Sequence, residues 1–190
     1  SNGDPVTADD LVFSMKRVLD PAFGSPHAEM LYAIRGAAAY HAGARRDFAS
    51  VDLTAAAGTL EIGLEYPVPY FLELLKHPAF MPVHAATIRA AGADRRQDTG
   101  WARRPAFPAN GPFVLQDWRA GTRIRLRKHA GYWDAPAVRL NAVECFPIEN
   151  TNTEERAFQN GQLHLTDDVP YIRRSAYRRS DHPDYLEYPV

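Results

Sequence analysis

Residues able to do chemistry are scattered through this sequence, and few of them converge. Seven histidines are spread over 190 residues, and none forms an H-E-x-x-H pair or another compact ligand set. His77 and His84 are divided by a helix end and a strand-like segment. Asp181, His182 and Asp184 share a polar loop, where such side chains are ordinarily solvated, so no metal site is expected. Cys145 is the only cysteine, which excludes an internal disulfide and a cysteine-based zinc site. Within the apolar run NAVECF it reads as a small core residue, with nothing nearby to make it a reactive thiolate. The sequence contains no G-x-S-x-G elbow, no phosphate-cradling glycine loop and no dinucleotide fingerprint. Catalytic residues and cofactors are accordingly expected to be none.

Two patterns stand above that background. Arg123, Arg125 and Arg127 alternate along TRIRLRKH and would set three guanidiniums at intervals of about 7 Å on one strand face. A nucleic-acid site would want stacking aromatics on the same face, and this strand has none there. The chain as a whole balances 22 basic against 23 acidic residues, which argues against nucleic acid as a partner. The stripe therefore reads as a solvated face. The second pattern, Asp167-Asp168, follows a helix–glycine–strand unit at the end of the strand, where clefts and ligand contacts tend to lie. A plain turn before Pro170, with one aspartate capping the next helix, fits the same residues.

The elements that would position these groups are short. Asn2-Gly3-Asp4-Pro5 is turn chemistry. Thr7 is a natural N-cap with Asp10 three residues on, and Leu11, Met15, Val18 and Leu19 recur on one helical face until Asp20-Pro21. Short helices are expected over 27–33 and through GAAAYHAG. TLEIGLE alternates as a half-buried strand, PVPYFLELLKHP reads as a helix entered through prolines, and HAATIRAAG as another. Fifteen prolines punctuate the chain instead of forming a linker. Beyond the polar connection AAGADRRQDTGWARRPAFPANGP, strands are expected in GPFVLQDW, TRIRLRKH and VRLNAVECFPI. A helix follows in NTNTEERAFQNG, with Thr151 and Glu154 at capping-box spacing and Gly161 as its stop. LHLTD reads as a strand, PYIRRSAYRR as a helix and YLEYPV as a last strand. No apolar run approaches the roughly 20 residues needed to cross a bilayer. With 45% hydrophobic and 24% charged residues the composition is that of an ordinary globular protein, and helices first, strands later, read as an α+β chain of two lobes.

Six segments in order, SNGDPVTADDLVFSMKRVLDP, SPHAEMLY, TLEIGLEYPVPYFLELLKHPAFMPV, NGPFVLQDW, GYWD and ECFPI, resemble the middle of the family 5 extracellular solute-binding proteins. The oligopeptide-binding proteins of ABC importers are the best known of these. The resemblance runs through nearly the whole sequence. It implies a partial two-lobed, type II periplasmic-binding-protein-like fold. Residues 1–104 would form the small α/β extra domain of the first lobe, and residues 105–190 part of that lobe's main mixed sheet. The second lobe would lie outside this sequence.

The resemblance further implies a receptor and not an enzyme, closing over a peptide or other small solute and passing it to a membrane permease. Its location would be periplasmic or extracellular and membrane-attached, with the signal region outside this sequence. The same fold joined to a DNA-binding domain would instead make the ligand-sensing part of a transcriptional regulator. Carried over residue by residue, the ligand-binding candidates are His27, Asp167 and Asp168. His27 stands where peptide-binding relatives have a tyrosine, the two aspartates lie near a Tyr-Asn position, and His164 replaces an acid often found in that strand. These departures suggest a solute with a cationic group facing the aspartates. Removal of partner strands would also leave an open sheet edge, through which the second half of the chain is expected to pair with a neighbouring chain, or else to be partly disordered.

Overall fold

The computed structural model describes residues 2–97, 99–105, 107–180 and 182–186. The chain divides into two compact units, one of Ser1–Trp118 with Arg125–Val143 and one of Arg119–Ile124 with Glu144–Val190.

In the first unit, α1 (Ala8–Leu19) begins as its sequence dictates. The Asp10 amide donates to the Thr7 hydroxyl at 3.4 Å, and the Asp10 carboxylate accepts from the Thr7 amide at 2.9 Å, a capping box with aspartate in place of glutamate. Met15 and Leu19 are buried, while Leu11 and Val18 are half-buried. Ser14 is buried too, without cost. Its hydroxyl donates to the Asp10 carbonyl at 2.6 Å and accepts from the Val83 amide at 2.8 Å, which fastens Val83 to the helix. Around α1 the core gathers Leu31, Ile34, Ala37, Tyr40, Val51, Leu53 and Phe80.

The strands β1 (Leu53–Ala56) and β2 (Thr59–Ile62) pair antiparallel, with Leu53 opposite Ile62 and Ala56 opposite Thr59. Ala57 and Gly58 make the two-residue turn, both at positive φ (48° and 78°), the geometry that matches the twist of a hairpin. Gly36 precedes α2 (Ala37–His41) at φ 79°, and a β-carbon there would lie 2.2 Å from the Ser50 carbonyl oxygen. Only glycine fits that approach.

Several expected helices are shorter. The segment 27–33 is a 3-10 turn over Ala28–Leu31. PVPYFLELLKHP yields only α3 (Phe71–Leu74), followed by a 3-10 turn over Pro78–Phe80. Its flanking prolines limit the hydrogen-bond ladder, and Leu72 and Leu75 are exposed, so no apolar stripe holds a longer helix down. α4 (Ala85–Ala90) is entered through His84, whose ring nitrogen accepts from the Thr87 amide.

The later strands β3 (Phe113–Arg119), β4 (Arg123–Lys128) and β5 (Ala142–Cys145) form a sheet in the order β3-β4-β5. β5 is far shorter than VRLNAVECFPI suggests, and Cys145 is exposed, not a core residue. In the second unit α5 (Thr151–Gln159) is capped by Asn150, whose side-chain oxygen accepts from the Asn152 and Thr153 amides. The Thr151 capping box does not form, because Asn150 takes the cap one residue earlier. LHLTD is not a strand. Leu165 is 81% exposed, and among the described residues no neighbour pairs with this segment. α6 (Tyr171–Ser180) follows as expected. Of the last expected strand, Tyr185 and Leu186 are not in a strand, and 187–190, like Asp181, lie outside the described residues.

Candidate functional site

The two aspartates occupy the connection between α5 and α6, and their surroundings differ sharply. Asp168 is engaged within the unit. Its carboxylate accepts from the Arg174 guanidinium at 2.7 and 2.8 Å and from the Val169 amide at 2.7 Å. The Val169 amide first, and Arg174 second, hold this carboxyl below the usual carboxylate range, since both donate to its ionised form. Arg174 also donates from Nε to the Val169 carbonyl at 3.3 Å, and its guanidinium lies 5.8 Å from the centre of the Tyr171 ring. One side chain from the first turns of α6 thus clasps the loop that leads into that helix.

Among the described residues, Asp167 is held only by its backbone. Its amide donates to the Glu154 carboxylate at 2.9 Å, so the turn is tied to the first turn of α5. Its own carboxylate is exposed, and among the described residues no cation stands against it. The pair is therefore unequal: one carboxylate consumed by the fold, one presented to solvent.

Behind the loop, Glu155 is 5% exposed and satisfied. It accepts from Arg173 at 3.1 Å and from the Tyr177 hydroxyl at 2.7 Å, as a buried carboxylate requires. Donation to Glu155 pushes the Tyr177 phenol above its ordinary value. Gln159 completes the link by donating to the Tyr177 oxygen at 3.1 Å. Sequence reasoning gave Glu154 to a capping box, where its carboxylate instead accepts from the Asp167 amide, and missed Glu155, Arg174 and Tyr177. A usable signal was present in the i, i+4 spacing of Arg173 and Tyr177 on α6, but nothing in the sequence tells which acid they meet.

His27 belongs to the first unit. It is exposed at the entry to the 3-10 turn, and its ring lies edge-on to His77 with centroids 5.2 Å apart. His77 Nδ1 accepts from the Ala79 amide at 3.1 Å, so in the neutral ring the proton sits on Nε2. Elsewhere in this unit His84 Nε2 meets the Asp4 carboxylate at 2.9 Å, closing one wall of a small cavity that also takes in Val6, Pro82 and Asn110. In the second unit an apolar pocket is lined by Phe146, Pro147, Ile148, Ala157 and Leu163.

The arginine stripe is less open than the sequence suggests. Arg123 and Arg125 are half-buried and only Arg127 is exposed, and Arg123 reaches the Glu144 carboxylate at 3.7 Å. Among the described residues no group of three or more histidines, cysteines or acids could hold a metal ion, and no helix is long and apolar enough to cross a membrane.

The family described as bacterial extracellular solute-binding proteins, family 5 Middle, matches residues 1–189. The dipeptide-binding protein DppE of Bacillus subtilis (strain 168) is 37% identical over 174 residues, covering 90% of this chain and 30% of that protein. The probable deoxycholate-binding periplasmic protein YgiS of Escherichia coli (strain K12) is 34% identical over 182 residues, 92% of this chain and 33% of that protein. Among solved structures, OppA of Burkholderia pseudomallei has the same fold with a TM-score of 0.83 at 32% identity, over 94% of this chain and 34% of that one. The chain thus spans about a third of the length of these relatives. The mixed helix-and-sheet, periplasmic-binding-protein-like fold expected from the sequence is the fold observed, over that third.

Proposed function

The chain belongs to the family 5 bacterial extracellular solute-binding proteins, a family of binding proteins and not of enzymes, and we infer that it is part of the solute-capture component of an ABC importer for oligopeptides. The carrying observation is the match over residues 1–189, joined to a dipeptide-binding relative 37% identical over 90% of the chain. On this reading the full-length protein is periplasmic or extracellular and hands its solute to a membrane permease. Two lobes close over the ligand, and the ligand stabilises the closed state because it touches both at once. Residues 1–104 supply the small domain of the first lobe and residues 105–190 part of its main sheet. His27, Asp167 and Asp168 are the ligand-facing candidates.

One relative favours a second solute class. YgiS carries the name of a deoxycholate-binding protein, so a non-peptide amphipathic solute is the alternative ligand for the same closure. A sensing domain of a transcriptional regulator, the other reading open from sequence, finds no support among these relatives.

Titration calorimetry with tripeptides is the direct test. The full-length protein is expected to bind them. The 190-residue chain alone, with one side of the cleft at most, is expected to show no micromolar affinity, and micromolar binding by the chain alone would overturn the two-lobe reading. The positions of β3 and β5 at the two ends of the strand order support self-association of the isolated chain by pairing with a neighbouring strand. A compact monomer in solution scattering at high concentration counts against that.

A further inference from the structure

We infer that the apolar pocket of the second unit is a docking groove for another part of the same polypeptide: in the full-length protein an apolar segment from outside residues 1–190 seats against Phe146, Ile148, Ala157 and Leu163. This rests on the reading above only in taking the full-length protein to extend well beyond this chain, as its relatives do.

The second unit has no apolar core of its own. Among its described residues only Glu155 and Pro170 are buried, and no valine, leucine, isoleucine or phenylalanine is. Apolar burial is the dominant favourable term in folding, and a carboxylate held by Arg173 and Tyr177 does not replace it. Apolar surface is instead left in solvent, with Ile172 81% and Phe146 44% exposed. The pocket measures about 310 Å³, room for roughly ten water molecules, whereas packed interiors leave few voids larger than one. Thr122 and Gln162 also line it, so every lining residue is uncharged, and a charged occupant would lose hydration there without gaining a partner. An apolar occupant fits.

Two observations favour a segment of the same chain. The groove begins at Phe146, directly after β5, and β5 stands at one end of the strand order, a position open to a further strand. A tethered segment is also present at an effective concentration of about millimolar, above that of a second copy in dilute solution.

The test uses the full-length protein that contains this chain. Thiols are introduced singly in the groove by Leu163→Cys and by the smaller change Ala157→Cys. Arg46→Cys, at an exposed position of the first unit, is the reference. Maleimide labelling is followed site by site through peptide mass mapping, which keeps Cys145 separate. Without added solute the groove thiols are expected to react about a hundredfold or more slowly than the reference, as sites uncovered only by local opening do. A benzophenone attached through Gln162→Cys is expected on illumination to cross-link within the same molecule, to a residue outside 1–190.

Groove thiols as reactive as the reference overturn the inference, because the groove then faces solvent. Protection that appears only with trialanine overturns it by placing the groove in the solute cleft. Protection lost on dilution, or a cross-link to an isotopically marked second copy, overturns it in favour of self-association. Failure of the unmodified protein to bind tripeptides refutes the peptide reading and leaves the labelling result standing, so the two fail separately.

Discussion

Replacing Gly36 with alanine isolates the energetic cost of one close approach in the first unit. Gly36 sits at φ 79°, and a β-carbon placed on it would stand 2.2 Å from the Ser50 carbonyl oxygen. Two penalties follow. An alanine in the left-handed region costs about 1–2 kcal/mol for its backbone alone. The contact then has to open by roughly 1 Å to reach ordinary separation, and the carbonyl that must retreat is bonded to Val51, which is 4% exposed in the core. Forced shifts in a packed core cost about 1–3 kcal/mol, for a total of about 2–5 kcal/mol. Gly58→Ala is the control, because Gly58 has nearly the same φ, 78°, with nothing within 4 Å of the added carbon. It carries the backbone penalty only, and the gain from stiffening the unfolded chain is common to both variants. Denaturant unfolding should therefore separate the two by about 1–3 kcal/mol at unchanged slope. If both variants fall within about 0.5 kcal/mol of each other, the packing of Gly36 against Ser50 contributes nothing beyond φ.

Three further outcomes are expected. Ala57, at φ 48° beside Gly58, occupies a turn position that favours asparagine, so Ala57→Asn should raise stability by about 0.5–1 kcal/mol, read as a higher denaturant midpoint. An unchanged or lower midpoint would count against that turn geometry. Tyr177→Phe removes one of two donors from buried Glu155 and should cost about 1–3 kcal/mol, seen as faster hydrogen exchange in α5 and α6. Because the folded phenol lies above its ordinary value, its contribution is complete below about pH 10 and is lost as pH rises through the folded value. The Asp168 carboxyl has the opposite sign. Its folded value lies below 3.8, so the clasp contributes above that pH and is lost as pH falls through the lower folded value. Carboxyl chemical shifts in an acid titration should show Asp168 protonating below 3.8, and a midpoint at or above that value would refute the clasp.

How much of this was legible in the sequence depended on the range of the interaction. Thr7 and Asp10 are three residues apart, and their capping box was readable because a cap is a local hydrogen bond. The Leu60 and Ile62 alternation was readable for the same reason. LHLTD misled because alternation reports a face to bury, while a strand also needs a neighbour to bond, and none stands beside Leu165 among the described residues. Cys145 misled likewise, because an apolar run does not reveal how little of it the fold covers. At the candidate site the two aspartates were visible as adjacent acids, but their inequality was not. It depends on where the first turn of α6 aims Arg174, six residues beyond Asp168, and on which oxygen of Glu154 reaches Asp167.

That inequality bounds what this side of a cleft can do. Moving a closure equilibrium from 1:99 to 99:1 needs a ligand that binds the closed state about ten-thousandfold more tightly, roughly 5.5 kcal/mol. A single exposed carboxylate such as Asp167 contributes about 1 kcal/mol toward a cation in water, and it does so in the open state as well. Only its difference between the two states favours closure. On the proposed function, Asp167 therefore sets which solutes are preferred without driving the lobes together. The driving force has to come from contacts made only on closing, such as backbone hydrogen bonds and apolar burial shared with the opposite lobe. Asp167→Asn should then shift the preference between charged and neutral peptides while leaving the extent of closure with saturating trialanine unchanged, as measured by solution scattering on the full-length protein. A variant that binds trialanine but no longer closes would place Asp167 in the closing contact itself and reverse that assignment.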